Sequence, residues 1–338
     1  MRRISVISLA ALVVVLTAPP ATAAYEHLGA TSNVALGIQW SQQLFPDGAS
    51  TAIIVRDDSF ADSLAAGALS GRLAAPVLLH PSTGNLDARV DNELSRLGAT
   101  RVLIIGGTSA ISPETRDDLV LAGYDVERLA GNNRVGTAVA VYELASSGGT
   151  YVYEGIPTVY LARAFGPPSD PNGSAAFADS LGAGMLAGST GRGLLLTETD
   201  HLSADTNTAL EAAPWVTDVV IVGGTAAVSE QTENELRARG LHVTRIAGAT
   251  RFDTARATAD QSYADGGLVA LVDGLHTNSW ASGYPAAGAA GGAVVLSHGD
   301  TLPAQTEAFL EANGPAFLVC APEVGHNACV AADAALNG

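Results

Sequence analysis

The fixed interval at which this chain repeats itself constrains its fold more than any single residue does. Phe60-Ala61-Asp62-Ser63-Leu64 returns as Phe177-Ala178-Asp179-Ser180-Leu181, and Ile105-Gly106-Gly107-Thr108 returns as Val222-Gly223-Gly224-Thr225. Arg134-Val135-Gly136-Thr137-Ala138 returns as Arg251-Phe252-Asp253-Thr254-Ala255. The offset is 117 residues each time (177−60, 223−106, 251−134). A constant period of this kind means an array of one unit, each copy burying its apolar face against the next.

Within one unit, apolar runs alternate with helical spacing. Thr51 to Val55, Val77 to Leu79 and Arg101 to Ile105 read as strands, nearly continuous in apolar character as strands buried on both faces are. Ser59 with Asp62 three residues on predicts a helix start, and Ala65, Ala66, Ala68 and Leu69 give it a small, close-packing face. Asp87 to Leu97 predicts a second helix ended by Gly98, and Ser112-Pro113-Glu114 opens a third. The second copy carries extra chain from Tyr151 to Pro157, a Pro/Gly loop from Gly166 to Ser174, and Trp215 where Gly98 stands in the first. A third copy drifts: Val269 to Val272 is its first strand, Trp280-Ala281-Ser282-Gly283 replaces the Phe-Ala-Asp-Ser phrase, and Cys320-Ala321-Pro322 stands where the Gly-Gly turn is due. Gly29-Ala30-Thr31-Ser32-Asn33 near the start is a weakened copy of Gly248-Ala249-Thr250-Arg251-Phe252. Strands alternating with helices predict an α/β fold with mostly parallel sheets, whose ligands meet the C-terminal strand ends. Arg56, Arg163 and Asp273 stand at that edge in the three copies.

The first residues read as an export signal: Arg2-Arg3, an apolar run from Ile4 to Thr17, and Ala21-Thr22-Ala23 as a small-x-small cleavage site. The reading is signal peptide 1–23, with 338−23 = 315 residues following and no membrane span after cleavage. Charge is one-sided, with 17 basic residues against 34 acidic, net −17, and lysine absent. A field of that sign opposes nucleic acid and anionic membranes, and without lysine there is no P-loop and no Schiff base. In an exported chain, Cys320 and Cys329 are expected as a local disulfide, about 2–3 kcal/mol by the loop-entropy model, with free thiols the alternative.

No Gly-x-Ser-x-Gly elbow, His-Glu-x-x-His or zinc-spaced cysteine set occurs, so the expectation is no catalytic residue, no metal and no cofactor. The Gly106-Gly107 and Gly223-Gly224 turns leave two readings open, anion contact through backbone N–H groups or a tight turn that lets elements pack. Asp62 and Asp179 are structural pair candidates for Arg134 and Arg251.

These linked phrases, Phe-Ala-Asp-Ser-Leu-Ala-Ala, Pro-Val-Leu-Leu, Ile-Ile-Gly-Gly-Thr-x-Ala-Ile-Ser and Arg-Leu-Ala-Gly-x-x-Arg-x-x-Thr-Ala, closely resemble the cell wall-binding repeat 2 family. The resemblance implies Toprim-like α/β units in sets of three about a pseudo-threefold axis, and non-covalent attachment to anionic polymers of Gram-positive walls. It sets the domains at 24–129, 130–246 and a divergent 247–338. The expectation is a secreted, non-catalytic surface protein bound to anionic wall polysaccharide or peptidoglycan through clefts between repeats. Ligand contact is expected at Arg56, Pro76, Val77, Leu78, Leu79, Arg134, Arg163, Leu194, Leu195, Leu196 and Arg251, with bridging divalent cations offsetting the acidic charge. Two alternatives stay open: an enzyme or enzyme modifier acting on wall glycan, and a self-associating surface-layer component.

Overall fold

The computed structural model describes residues 25–145, 149–167, 169–170, 174–288, 292–313 and 317–337. The signal peptide expected at 1–23 lies outside them, as do residues 168 and 171–173 of the inserted loop. In chain order the elements are β1 (Glu26–His27), α1 (Asn33–Leu44), β2 (Thr51–Arg56), α2 (Ala66–Leu73), β3 (Val77–His80), α3 (Ala88–Leu97), β4 (Arg101–Ile105), α4 (Pro113–Leu121) and β5 (Asp125–Leu129). The second copy follows with α5 (Arg134–Tyr142), β6 (Thr158–Arg163), α6 (Ser174–Thr190), β7 (Gly193–Thr197), α7 (Ala204–Ala212), β8 (Asp218–Val222), α8 (Glu230–Ala238) and β9 (His242–Ile246). The third holds α9 (Arg251–Ser262), β10 (Leu268–Asp273), α10 (Trp280–Ala286), β11 (Ala293–Ser297), α11 (Ala304–Asn313), β12 (Phe317–Cys320) and α12 (His326–Asn337).

These strands make three four-stranded sheets in one topology, β3-β2-β4-β5, β7-β6-β8-β9 and β11-β10-β12-β1, and every pairing is parallel. Period-2 alternation divides each strand between two cores. Ile53, Val55, Leu103 and Ile105 of the first sheet, with Tyr160, Ala162, Leu194 and Leu196 of the second, face one shared central core. Ala52, Ile54, Val102 and Ile104 turn the other way onto Val90, Leu94 and Leu119, while Val159, Leu161, Leu195 and Ile221 pack outward on Leu210 and Leu236.

The third sheet takes its fourth strand from the beginning of the chain. Glu26 and His27 pair with Val319 and Cys320, the place that β5 and β9 fill in the other sheets. That is why Gly29-Ala30-Thr31 resembles Gly248-Ala249-Thr250: the third unit's closing phrase stands at the N-terminus, and it covers an edge that would otherwise be unpaired. The boundary expected at 24 thus opens on a strand that serves the third sheet. The helix after each closing phrase crosses to the next sheet, α1 onto β3, α5 onto β7 and α9 onto β11.

At the centre, α2, α6 and α10 meet one another. A β-carbon at Gly71 would overlap the backbone of Gly188, and one at Gly67 would meet Ala287 Cβ at 2.7 Å and Gly184 Cα at 3.2 Å. Glycine at i and i+4 puts two bare patches on one face of α2, and Gly184 and Gly188 do the same on α6. Backbone therefore lies on backbone along this seam.

Local expectations hold at several ends. Asp87 caps α3, Gly98 ends it in the left-handed region at φ 67°, and Ser112 with Pro113 starts α4. The helix expected from Ser59 differs: residues 61–65 form turns and α2 begins at Ala66, while Asp62 accepts from Thr137 of the next unit. Cys320 and Cys329 form a disulfide that ties β12 to α12, with both residues buried.

Because neither side of the central seam can yield, Gly71→Val is expected to destabilise the protein by about 3 kcal/mol or more, the upper end of overpacking penalties. Gly29→Ala, into open space, is expected to stay within about 0.5 kcal/mol. Urea unfolding of both variants checks this, and equal midpoints would contradict the seam.

Candidate functional site

Each crossing helix carries its first residues past the C-terminal edge of one sheet to the strand end of the next, which creates three related junctions. In all three, a side chain at the start of the crossing helix donates to the carbonyl just after the neighbouring central strand. Arg134 Nη1 reaches Ala164 O at 2.9 Å and Arg251 Nη1 reaches Gly274 O at 2.7 Å. At the remaining junction Ser32 stands in the arginine's place, and Asn33, one residue on, donates to Asp57 O at 2.6 Å. Asn33 and Asn278 also exchange amide hydrogen bonds of 3.0 and 2.7 Å.

A carboxylate sits at each junction too. Gly106 and Gly223 have φ of 113° and 117°, a region open mainly to glycine. A β-carbon there would also press to within 3.1 Å of Asp62 Oδ2 and 2.7 Å of Asp179 Oδ2. The Gly-Gly turn therefore serves close packing against the aspartate. Thr137 of the next unit donates to Asp62 Oδ1 at 2.9 Å and accepts from Gly131 N at 3.2 Å, which holds the turn before α5. Gly248 N donates to Thr254 in the same way at 3.1 Å. In the third unit the aspartate has become Ser282 and the acid has moved to the turn, where Glu323 Oε2 accepts from Ser282 Oγ at 3.2 Å. Burial pushes the Glu323 carboxyl up to about 7, partly opposed by hydrogen bonds to its own N–H and to Ser282.

The expected Asp62–Arg134 and Asp179–Arg251 pairs do not form as hydrogen-bonded ion pairs. Asp62 is taken by Thr137, while the Arg134 guanidinium lies between two rings, 5.2 Å from the Phe60 centroid and 4.8 Å from that of Phe165. Arg251 instead holds Ser174 Oγ at 3.1 Å besides Gly274 O. The two arginines act as clasps between units. Arg56 is held by Asp58 at 2.6 Å on the surface.

Pro76, Val77, Leu78, Leu79, Leu194, Leu195 and Leu196, expected to line a cleft, are all buried. They belong to β3 and β7 or their approach, in parallel sheets covered on both faces, so their side chains present no surface to a polymer. What lies open is the rim of the junctions.

Cavities open at these rims, one of about 240 Å³ at the junction of the first and second units, lined by Asn133, Val135, Phe165 and Glu198 among others. At the junction of the second and third units a space of about 190 Å³ is lined by Arg163, Asp179, Gly224, Thr250, Arg251 and Thr254, among others. Arg163 is fixed by Nε to Phe165 O at 3.1 Å and Nη1 to Ala226 O at 3.3 Å, while its Nη2 has no partner. Burial pushes Asp179 up to about 6 against the pull of Arg163 and Arg251. At the junction of the third and first units a space of about 310 Å³ is lined by Thr31, Ser32, Asn33, His276, Asn278 and Glu323, among others, with no arginine. Of these, only the space between the second and third units presents two guanidiniums to an anion. Among the described residues no group of three or more His, Cys, Asp or Glu side chains converges to hold a metal ion, and no helix is long and apolar enough to cross a membrane.

The clasp and the surface pair should separate in stability. Arg134→Met removes a charged donor from a half-buried carbonyl and is expected to cost about 1.5–3 kcal/mol. Arg56→Ala breaks only an exposed pair and is expected to cost under about 1 kcal/mol. Urea midpoints of the two variants test the assignment.

Comparison with known proteins places this architecture. Residues 21–116 and 128–233 match the family model described as cell wall binding domain 2. The chain is 26% identical over 257 residues to the N-acetylmuramoyl-L-alanine amidase LytC of Bacillus subtilis (strain 168), an alignment covering 75% of this chain and 46% of the amidase. It is 28% identical over 224 residues to the amidase enhancer of the same organism, covering 66% of this chain and 27% of that protein. Among solved structures, Cwp6 from Clostridium difficile superposes with a TM-score of 0.75 at 20% identity, over 94% of this chain and 48% of Cwp6. Cwp8 from Clostridium difficile gives 0.74 at 23%, over 92% and 51%. The likeness to Cwp6 and Cwp8 shows the fold. This chain spans about half, or less, of the length of each of these relatives. The family match takes in more than half of the chain's 338 residues, and the chain belongs to the cell wall binding domain 2 family.

Proposed function

We propose that this chain is a secreted, non-catalytic anchor that attaches to an anionic wall polymer at the rim of its inter-unit junctions. The observation that carries the reading is the pair Arg163 and Arg251 lining one open space in a chain of net charge −17. On so acidic a surface, an anionic chain is held where positive charge is local and preorganised. Arg163 is preorganised by its carbonyl partners, and its free Nη2 supports a role in contacting phosphate or carboxylate oxygens after a small side-chain shift. Divalent cations bridging surface carboxylates to the polymer complete the reading. The relatives named as an amidase and an amidase enhancer, each longer than the matched stretch, fit a division of labour in which this fold supplies attachment.

A second reading, an enzyme acting on wall glycan, is favoured by the amidase match and by the Asp179 carboxyl near 6, a value suited to proton transfer. Release of reducing ends or amino groups from purified walls by the wild type, lost in Asp179→Asn, would establish it.

Co-sedimentation with wall sacculi before and after acid extraction of their anionic polymers tests the anchor. Binding is expected to vanish on extraction and to fall with high salt. Arg163→Ala with Arg251→Ala is expected to weaken it about tenfold or more. Retention by extracted sacculi would point to peptidoglycan, and retention unchanged by salt and chelator would sink the ionic mechanism.

The pH dependence has a definite sign. Asp179 ionised cancels part of the field of Arg163 and Arg251, and its raised value means that it takes up a proton as pH falls through about 6. Polymer binding is therefore expected to tighten from pH 7.5 to 5, and Asp179→Asn to bind tightly throughout and flatten the profile. The folded state also gains stability relative to the unfolded as pH falls through this range, because the folded carboxyl binds the proton more tightly. A profile unchanged in the variant would remove Asp179 from the site.

A further inference from the structure

Two features peculiar to the second unit, the extra chain from Tyr151 to Pro157 and the tryptophan in the connector before β8, come together in space. Tyr142 at the end of α5, Tyr151 and Tyr153 of the extra chain, and Trp215 line one small cavity with Glu143 and the methyls of Ala209, Ala212 and Ala213. The Tyr142 and Tyr153 rings stack with centroids 5.5 Å apart and planes 4° apart. Room for them is made by Gly193, where a β-carbon would overlap the Tyr142 ring. The first unit has Pro76 at the position before its leucines and no aromatic group in the corresponding connector.

Tyr142 Oη, Tyr153 Oη and Trp215 Nε1 are buried and have no hydrogen-bond partner. Trp215 Nε1 is nonetheless near enough to the Tyr142 hydroxyl to act on it as a hydrogen-bond donor, so those two face each other in poor geometry and Tyr153 Oη alone has nothing opposite it. Buried polar groups are normally paired, and an open Tyr153 hydroxyl beside a poorly made Trp215–Tyr142 contact marks a place for a group that can both donate and accept. The floor, about 20 Å³, is larger than the roughly 10–15 Å³ one water centre needs. It takes a methyl or carbonyl group but not a sugar ring. The mouth is exposed, with Tyr151 43% exposed and Glu143 beside it. Among the described residues no cationic side chain lines the space, and Arg72, held on Val152 O at 3.0 Å, acts on Tyr153 from outside it.

We propose that this cavity is a subsite for an N-acetylated aminosugar residue of a glycan. The acetamido methyl enters among the three alanines, its carbonyl accepts from Trp215 Nε1, its N–H donates to a tyrosine hydroxyl, and the pyranose lies on the exposed Tyr151 ring with a hydroxyl on Glu143. A plain hexose offers neither the methyl nor the amide pair. The subsite is independent of the arginine-lined junction, which shares no lining residue with it.

The test is titration of the mature chain with tri-N-acetylchitotriose and with cellotriose. It is followed by Trp fluorescence, to which Trp215 contributes the least buried indole because Trp40 and Trp280 are buried. Saturable binding of the acetylated sugar alone is expected, weakened about tenfold by Trp215→Phe, which keeps an aromatic ring but removes the N–H. Tyr153→Phe is expected to weaken binding while raising the melting temperature, since it deletes a buried hydroxyl that has no partner. A purely structural tyrosine would not separate those two readouts. Arg251→Ala should leave this binding unchanged, so failure here and failure of the anionic-polymer reading are distinguishable. No saturable binding, equal binding of the two sugars, or wild-type affinity in Trp215→Phe would each overturn the assignment.

Discussion

Backbone contact along the central helices is the constraint from which the rest follows. Helices with ordinary side chains keep their axes about 8–10 Å apart. Gly67 and Gly71 against Gly184 and Gly188 remove the side chains from the contact itself, and Ala287 closes the third side. With α2 and α6 so near, the inner faces of the sheets that carry them share one apolar core rather than building separate ones. The first and second units each keep an outer core of their own, but their inner faces are buried only in the set.

A shared core makes the junctions the mechanical weak points, and the structure answers with one device varied three ways. A donor at the start of the crossing helix reaches the carbonyl after the next central strand, and a carboxylate sits nearby. Arginine does this twice; where Ser32 has replaced it, Asn33 takes over from the next position. Where the aspartate of the repeated phrase has become Ser282, Glu323 restores the acid from the opposite element. The junction's chemistry is thus kept while its residues change hands. Closure of the third sheet by β1 follows the same logic, since it lets the first and last units meet through the contacts the others use.

The repeat period, the parallel sheets, most strand centres and several helix caps were legible because they rest on local pattern: continuous apolar runs, Asp87 and Ser112 as caps, Gly98 as a stop. The edge strands β5 and β9 carry only two apolar residues in five positions, too weak a signal to stand out from loop. β1 was hidden because its partner lies almost 300 residues away, a pairing that no window of sequence contains. The candidate site was legible in part. Arg163 and Arg251 were singled out by position at strand end and helix start, and they line the same cavity. The apolar Val77–Leu79 and Leu194–Leu196 were misplaced, since the features that make a buried strand conspicuous in sequence are those that remove it from any ligand. Asp62 was expected to seek an arginine, but the sequence does not show that Thr137 from the next unit arrives first.

What distinguishes the units lies at their margins. The repeated residues are spent on holding the three together, so those free to differ are the ones at strand ends and connectors: Asp58 pairs with Arg56, Arg163 shares its rim with Arg251, and Asn278 pairs with Asn33. The same freedom lets the second unit carry an inserted aromatic cluster without disturbing its sheet. Gly193 accommodates Tyr142, and the strand it begins keeps its register with β6. The unpaired Tyr153 hydroxyl in that cluster lowers stability, and nothing in the packing of the second sheet requires it, because phenylalanine would fill the same volume. A buried group that costs stability and is not needed for packing is what the proposed subsite would use, and Tyr153 Oη is such a group.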